Sequence, residues 1–193
     1  MKPAEALVRC GWAGESPDYV VYHDTEWGRE LRGDREMFER VSLEAFQSGL
    51  SWITILRKRE AFRAAFHGFD ISAVAEFDDS DVRRLLGDAA IVRNRAKIEA
   101  TVNNARAILD LGEPFSDLVW SFAPTPPRPA PQTLAEVPAT TPGSVALAKA
   151  LKKRGFRFVG PTTAYALMQA TGMVNDHLAD CWVRNGGQTR HAG

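Results

Sequence analysis

Apolar residues recur at helical spacing through most of this chain, and a glycine or proline closes stretch after stretch, which leaves few architectures open. Asp34 reads as the N-cap of a helix over about Arg35–Leu50, stopped near Gly49. Ser51 caps Trp52–Phe66, Asp70 starts a short helix through Phe77, and Ser80–Leu86 ends at Gly87. Arg93–Leu111 is the longest, with Ile98, Val102, Ala105, Ile108 and Leu109 at helical spacing and Gly112 as its stop. Ser144–Arg154 and Thr162–Thr171 complete the set. No stretch shows sustained period-two alternation of Val, Ile or Thr, so no convincing sheet is expected. The expected fold class is all-α.

At 193 residues, one domain over 1–193 is expected. Ala123–Pro131, APTPPRPAP, carries five prolines and reads as a connector between two helical lobes rather than a recognition peptide. Residues 184–193 read as a flexible tail. No apolar run approaches the ~20 residues of a membrane span, and the start Met-Lys-Pro-Ala-Glu opens no signal-peptide pattern. Two cysteines argue against a disulfide scaffold. The expectation is a cytoplasmic, monomeric protein without a membrane partner.

Lys+Arg and Asp+Glu balance at 24 each, which excludes nucleic-acid coating by bulk charge alone. The distribution is uneven. Val137–Asn175 holds five bases, Lys149, Lys152, Lys153, Arg154 and Arg157, and no acid, leaving 19 bases against 24 acids elsewhere. Four of them fall in LKKRGFRFVGPTTAYALMQATG, Leu151–Gly172, where Gly155 and Gly160 bracket a short turn and Pro161 suits the first position of the next helix. Free N–H groups at that helix start, with bases nearby, suit a phosphate oxygen; a solvated αα-hairpin fits the segment equally well.

His177 and Cys181 lie on one face of a helical turn, and Cys10 and His23 stand near the other end. Together they form a possible Cys2His2 ligand set for a closed structural zinc site. The spacing is no recognised short pattern, and two buried free cysteines, a disulfide or unrelated histidines fit it as well.

Glu44 is the most informative single residue. On its helix the apolar face runs through Met37, Val41, Ala45 and Ser48, so Glu44 points inward or nearly so and needs a partner or a ligand; Arg40 is one candidate partner. Trp12, Tyr19, Tyr22 and Trp27 crowd the first 28 residues, with Trp52 two helical turns after Glu44. GWAGESPDYVVYHDTEWG has little helical periodicity, and a loop loaded with aromatics suggests a pocket that stacks planar ligands.

CGW at Cys10–Trp12, YHDTEWG at Tyr22–Gly28, LEAFQSGLSWITILRKRE at Leu43–Glu60 and ALKKRGFRFVGPTTAYALMQATGMVNDH at Ala150–His177 resemble the DNA-3-methyladenine glycosylase I family, from about Cys10 to Cys181. The resemblance implies a fold of the helix-hairpin-helix DNA glycosylase superfamily, with Leu151–Gly172 as the DNA-binding element. Lys152, Lys153, Arg154, Gly155, Arg157, Gly160 and Thr162 would face double-stranded DNA containing alkylated adenine. Cys10, His23, His177 and Cys181 would bind one structural Zn2+ joining the N- and C-terminal segments. Glu44 and Tyr22 would contact the damaged base as catalytic residues, Trp52 would stack on it, and Trp12, Tyr19 and Trp27 would line the pocket. The implied activity is that of a monofunctional glycosylase: extrusion and hydrolytic excision of 3-methyladenine in base excision repair. Wider relatives of the superfamily carry an aspartate after the hairpin's second helix that supports the cationic sugar and positions water; Asp176 lies nearby but is expected instead to orient His177 at the metal. A DNA-binding module without activity and a zinc-stapled protein that contacts another protein are the competing readings.

Overall fold

The structure is a computed structural model that describes residues 7–184. The tail reading thus lies, Arg184 apart, outside the described residues. Regular structure among the described residues is entirely helical: α1 (Pro17–Thr25), α2 (Asp34–Gln47), α3 (Trp52–Ala65), α4 (Ile71–Ala75), α5 (Asp79–Gly87), α6 (Arg95–Leu109), α7 (Phe115–Trp120), α8 (Pro142–Lys153) and α9 (Pro161–Ala170). Short 3-10 turns fall at Gly11–Ala13, His67–Phe69 and Leu134–Glu136. None of these helices is long and apolar enough to cross a membrane.

Local signals account for most starts. Asp70 accepts the Ala73 N–H, Asn94 accepts that of Lys97, and Asp78 and Thr141 open α5 and α8 with reciprocal capping boxes. Asp34 departs from expectation. It is the first helical residue, Gly33 is the cap, and its carboxylate instead accepts the Ser116 N–H at 2.8 Å, at the start of α7.

α2 is the central helix, packed against α3, α6, α7 and α9, while α4 packs on α6 and α8 on α9. One connected hydrophobic cluster, including Phe38, Phe46, Phe62, Phe66, Ile98 and Tyr165, fills the space between them. The buried Lys97 donates from Nζ to the carbonyls of Phe46 and Ser48, covering the C-terminal end of α2.

Between α8 and α9 the chain turns through a Schellman arrangement. Phe156 N–H reaches the Leu151 carbonyl at 3.1 Å, Gly155 N–H reaches that of Lys152 at 3.0 Å, and Gly155 takes φ +87°. Asn104 on α6 brackets Arg157, accepting its N–H at 2.8 Å and donating to its carbonyl at 3.0 Å, and Asn103 donates to the Gly155 carbonyl at 2.7 Å.

At the far end of α9, Gly172 has φ +76°, and a Cβ there would sit 2.7 Å from the Arg29 carbonyl carbon. Only glycine lets the segment after α1 lie on this helix end, where Leu31 N–H bonds the Thr171 carbonyl at 3.1 Å. Gly172→Ala should therefore lower the unfolding free energy by about 2 kcal/mol or more. Gly49→Ala, at φ +81° with open space around it, should lose only about 1 kcal/mol. Urea unfolding of the two variants measures the difference.

Candidate functional site

Pro17 at the first helical position, after an extended Ser16, starts α1 inside the stretch read as an aromatic loop. Its missing periodicity has a physical reason. The residues it buries are Tyr22 and His23, which serve two polar sites rather than an apolar stripe. Tyr22 faces a cavity of about 240 Å³, and His23 enters a buried cluster with Cys10, His177 and Cys181.

The cavity gathers all six residues expected around a base: Trp12, Tyr19, Tyr22, Trp27, Glu44 and Trp52. Trp12 holds the wall together, edge-on to Tyr19 at 5.8 Å and to Trp27 at 4.9 Å between ring centroids. Tyr22 and Trp52 are 5.4 Å apart. Tyr19 accepts the Ile53 N–H at 3.0 Å in the first turn of α3, which fixes Trp52 relative to α1. Gln47, Leu134, Val137, Ala166, Gln169 and Asp176 complete the lining. Local pattern gave no signal for the first five, because they converge from α2, the 3-10 turn after the proline-rich segment, and α9.

Glu44 is 6% exposed, and its carboxyl makes no hydrogen bond to any described residue. Burial raises its pKa to about 7, opposed by the charge of Arg40. Arg40, however, is not its hydrogen-bonded partner: the guanidinium donates to Tyr22 Oη at 3.0 Å and lies 3.6 Å from Glu26, which Arg59 also grips. Burial likewise pushes the Tyr22 phenol upward, so it keeps its proton. With the oxygen accepting from Arg40, that proton is available to the cavity. Glu44 thus offers the cavity an acceptor and Tyr22 a donor.

Asp176 does not orient His177. Its buried carboxylate accepts from Tyr165 Oη, from Gln169 Nε2 at 3.0 Å and from Arg128 at 3.3 Å. Neighbouring residues here point apart, Asp176 to the cavity and His177 to the cluster; the Trp27 carbonyl, 3.0 Å from His177 Nε2, does the orienting.

In the cluster the ligand atoms all lie within 4.8 Å of one another. His23 Nε2 and His177 Nδ1 are 3.2 Å apart, Cys10 Sγ is 3.7 Å from His177 Nδ1, and Cys181 Sγ is 3.5 Å from each histidine. A tetrahedral ion bonded at about 2.3 Å to sulfur and about 2.0–2.1 Å to nitrogen sets edges of roughly 3.3 Å between nitrogens and 3.6 Å from nitrogen to sulfur. Each histidine also has its outer nitrogen beside an oxygen, Asp24 Oδ1 at 2.8 Å and the Trp27 carbonyl, which directs the inner lone pair into the cluster. The residues fit a metal ion. Without one, burial raises the Cys10 thiol to about 12 and lowers His177 to about 4.

Lys152, Lys153, Arg154, Gly155, Arg157, Gly160 and Thr162 are all exposed around the α8–α9 turn, apart from the cavity. α9 connects the two places, beginning at this turn and carrying Ala166 and Gln169 to the cavity wall. Gly160 has an ordinary φ of −82°, and Arg154 lies 3.4 Å from Glu113. Asn103 and Asn104, which hold the turn from α6, are positioning residues that local sequence does not reveal.

The all-helical fold is shared with solved glycosylase structures. A crystal structure of 3-methyladenine DNA glycosylase I is 50% identical, with a TM-score of 0.88 over 91% of this chain and 98% of that one. A variant of 3-methyladenine DNA glycosylase I in complex with 3-methyladenine is 34% identical, with a TM-score of 0.85 over 91% and 96%. DNA-3-methyladenine glycosylase 1 of Escherichia coli (strain K12) is 52% identical over 179 residues, 91% of this chain and 96% of the relative. The sequence profile of the methyladenine glycosylase family matches residues 12–185, and the chain belongs to that family.

The raised Glu44 pKa has a consequence for stability. The folded protein binds the proton more tightly than the unfolded chain, so this contribution is full below about pH 4.5 and is lost as pH rises through about 7. Relative to wild type, Glu44→Gln should gain stability between pH 5 and pH 8, by up to about 3 kcal/mol. Urea unfolding at both pH values checks the sign.

Proposed function

We propose that this protein excises 3-methyladenine from alkylated double-stranded DNA by hydrolysing the N-glycosidic bond, as a monofunctional enzyme of base excision repair. The observation that carries the reading is the Glu44–Tyr22 pair at the wall of an aromatic cavity. Adenine presents an N6–H donor beside an N7 acceptor. Glu44 accepts from the first and Tyr22 donates to the second.

Alkylation at N3 leaves the base cationic in DNA and its glycosidic bond weak, so departure needs little acid catalysis. The protein's task is to extrude the nucleotide, at a few kcal/mol, and to recognise what emerges. Trp52 stacks on the base, and Trp12, Tyr19 and Trp27 enclose it; ring faces favour a cation over a neutral base by roughly 0.5–2 kcal/mol per contact. A bound cation also holds Glu44 ionised, which strengthens its hydrogen bond to N6. Water then attacks the sugar carbon. No lysine lines the cavity among the described residues, which supports hydrolysis without a Schiff base.

The chain acts as one domain and a monomer in the cytoplasm, with 123–131 joining two lobes of a helix-hairpin-helix fold and 184–193 as a tail. The 151–172 element grips DNA through Lys152, Lys153, Arg154, Arg157 and the backbone at Gly155 and Gly160. Thr162 presents a free N–H at the start of α9. Cys10, His23, His177 and Cys181 hold one Zn2+. Four protein ligands leave the ion a purely structural cross-link.

On methylated duplex DNA, wild-type protein should release 3-methyladenine. Glu44→Gln should slow release about 10- to 100-fold with little change in duplex affinity; equal losses in both would remove Glu44 from base recognition. Elemental analysis of the protein as purified should find about one zinc per chain, and protein purified without metal that is folded and still binds the base would refute the site.

A further inference from the structure

The proline-rich segment does more than join two helices. Its five prolines lack N–H donors and have fixed φ, which keeps the strand extended and stiff. It is tied at both ends: Ala123 N–H bonds the Trp120 carbonyl at 3.0 Å, and Ala179 N–H bonds the Pro131 carbonyl at 2.9 Å. Midway stands its one charged residue, Arg128.

Arg128 Nη1 donates to Tyr165 Oη and, at 3.3 Å, to Asp176 Oδ1. Asp176 and Gln169, its other partner, line the cavity. The Asp176 side chain is 1% exposed, whereas that of Arg128 is 31% exposed. Nε and Nη2 of Arg128 make no hydrogen bond to any described residue. The guanidinium is therefore held at Nη1 alone by a buried carboxylate and a buried phenol, with Nε and Nη2 unused. Tyr165 and Gln169 already donate to Asp176, so Arg128 is not needed to satisfy that carboxylate's hydrogen bonding.

Along the sequence, the stretch between Asp117 and Asp176 in which it stands is basic. From Leu118 to Asn175 the chain carries six bases, Arg128 included, against the single acid Glu136. The Glu136 carboxylate is turned back on its own turn, accepting the Gln132 N–H at 2.9 Å. Tyr165 lies one helical turn into α9, so Arg128 stands on the same helix that begins at the basic turn.

We infer that Arg128, anchored on the cavity-lining Asp176, binds a DNA backbone phosphate, which makes the proline-rich segment a DNA-contacting arm rather than a passive connector. The inference rests on the glycosylase reading. A guanidinium anchored at Nη1, with its Nε–Nη2 edge open, is suited to a phosphate, and a stiff arm loses little entropy on engaging it.

The test is affinity for a duplex bearing an abasic-site analogue, measured between about 50 and 200 mM salt. Arg128→Ala should weaken low-salt binding about five- to tenfold and reduce the slope of log affinity against log salt by about 0.9, the loss of one phosphate contact. Affinity for free 3-methyladenine should stay at the wild-type value. Arg128→Lys, which keeps the charge and replaces Arg128→Ala should the latter not fold, should retain the slope but recover only part of the affinity. An unchanged slope in Arg128→Ala, or a parallel loss of free-base affinity, would overturn the inference and make Arg128 a prop for the cavity wall. Should Arg128→Lys lose slope as Arg128→Ala does, the charge contact is equally refuted. The glycosylase reading fails separately, if wild-type protein releases no base while the Arg128-dependent slope persists.

Discussion

Four side chains from opposite ends of the chain, Cys10, His23, His177 and Cys181, meet in one buried cluster, and the geometry of the cavity depends on that meeting. Every cluster residue of the N-terminal segment has a cavity neighbour: Cys10 precedes Trp12 by two positions, and His23 follows Tyr22 directly. Trp27 belongs to both places, lining the cavity with its ring while its carbonyl faces His177 Nε2. A second layer reinforces the join. Asp24 accepts from Arg9 at 2.8 Å, stands 2.8 Å from His23 Nδ1 and accepts from Trp182 Nε1 at 3.3 Å. Residues far apart in sequence thus become one connected wall.

Against that wall stands a carboxylate in an environment that disfavours its charge. Glu44 lies on the central helix α2, held by the hydrophobic cluster and by Lys97 at its C-terminal end. An isolated buried carboxylate is destabilising, and Arg40 offsets only part of that. On the proposed function the same burial would favour a cation, since a positive ligand would restore the charge balance that the fold withholds. On the proposed function, stability given up in the free protein would be recovered on binding, the usual exchange at a functional site.

Much of this was legible in the sequence, for identifiable reasons. α2, α3, α6, α8 and α9 each turn an apolar stripe to one core, so periodicity located them within a few residues. α1 escaped because its inner face is Tyr22 and His23. α7 escaped because six residues hold too few turns to show a period. Asp34 carried true capping chemistry, but it serves Ser116, 82 positions away, and no local rule identifies the recipient. The six aromatic and acidic cavity residues stood out because such side chains are conspicuous in a loop or on an apolar face. Gln47 and Gln169 are ordinary surface residues until the fold brings them to the cavity, and Arg128 is one until the fold sets it on Asp176. Asp176 misled through its adjacency to His177, since successive residues after α9 face different sites.

The dependence of the cavity on the cluster is open to one direct measurement. Protein extracted with a strong chelator is titrated calorimetrically with free 3-methyladenine, alongside untreated protein, with helical content followed by circular dichroism. Removal of the metal should abolish base binding while the helices packed around α2 persist, and metal restored to the protein should restore the affinity. Undiminished base binding by metal-free protein would contradict the coupling between cluster and cavity.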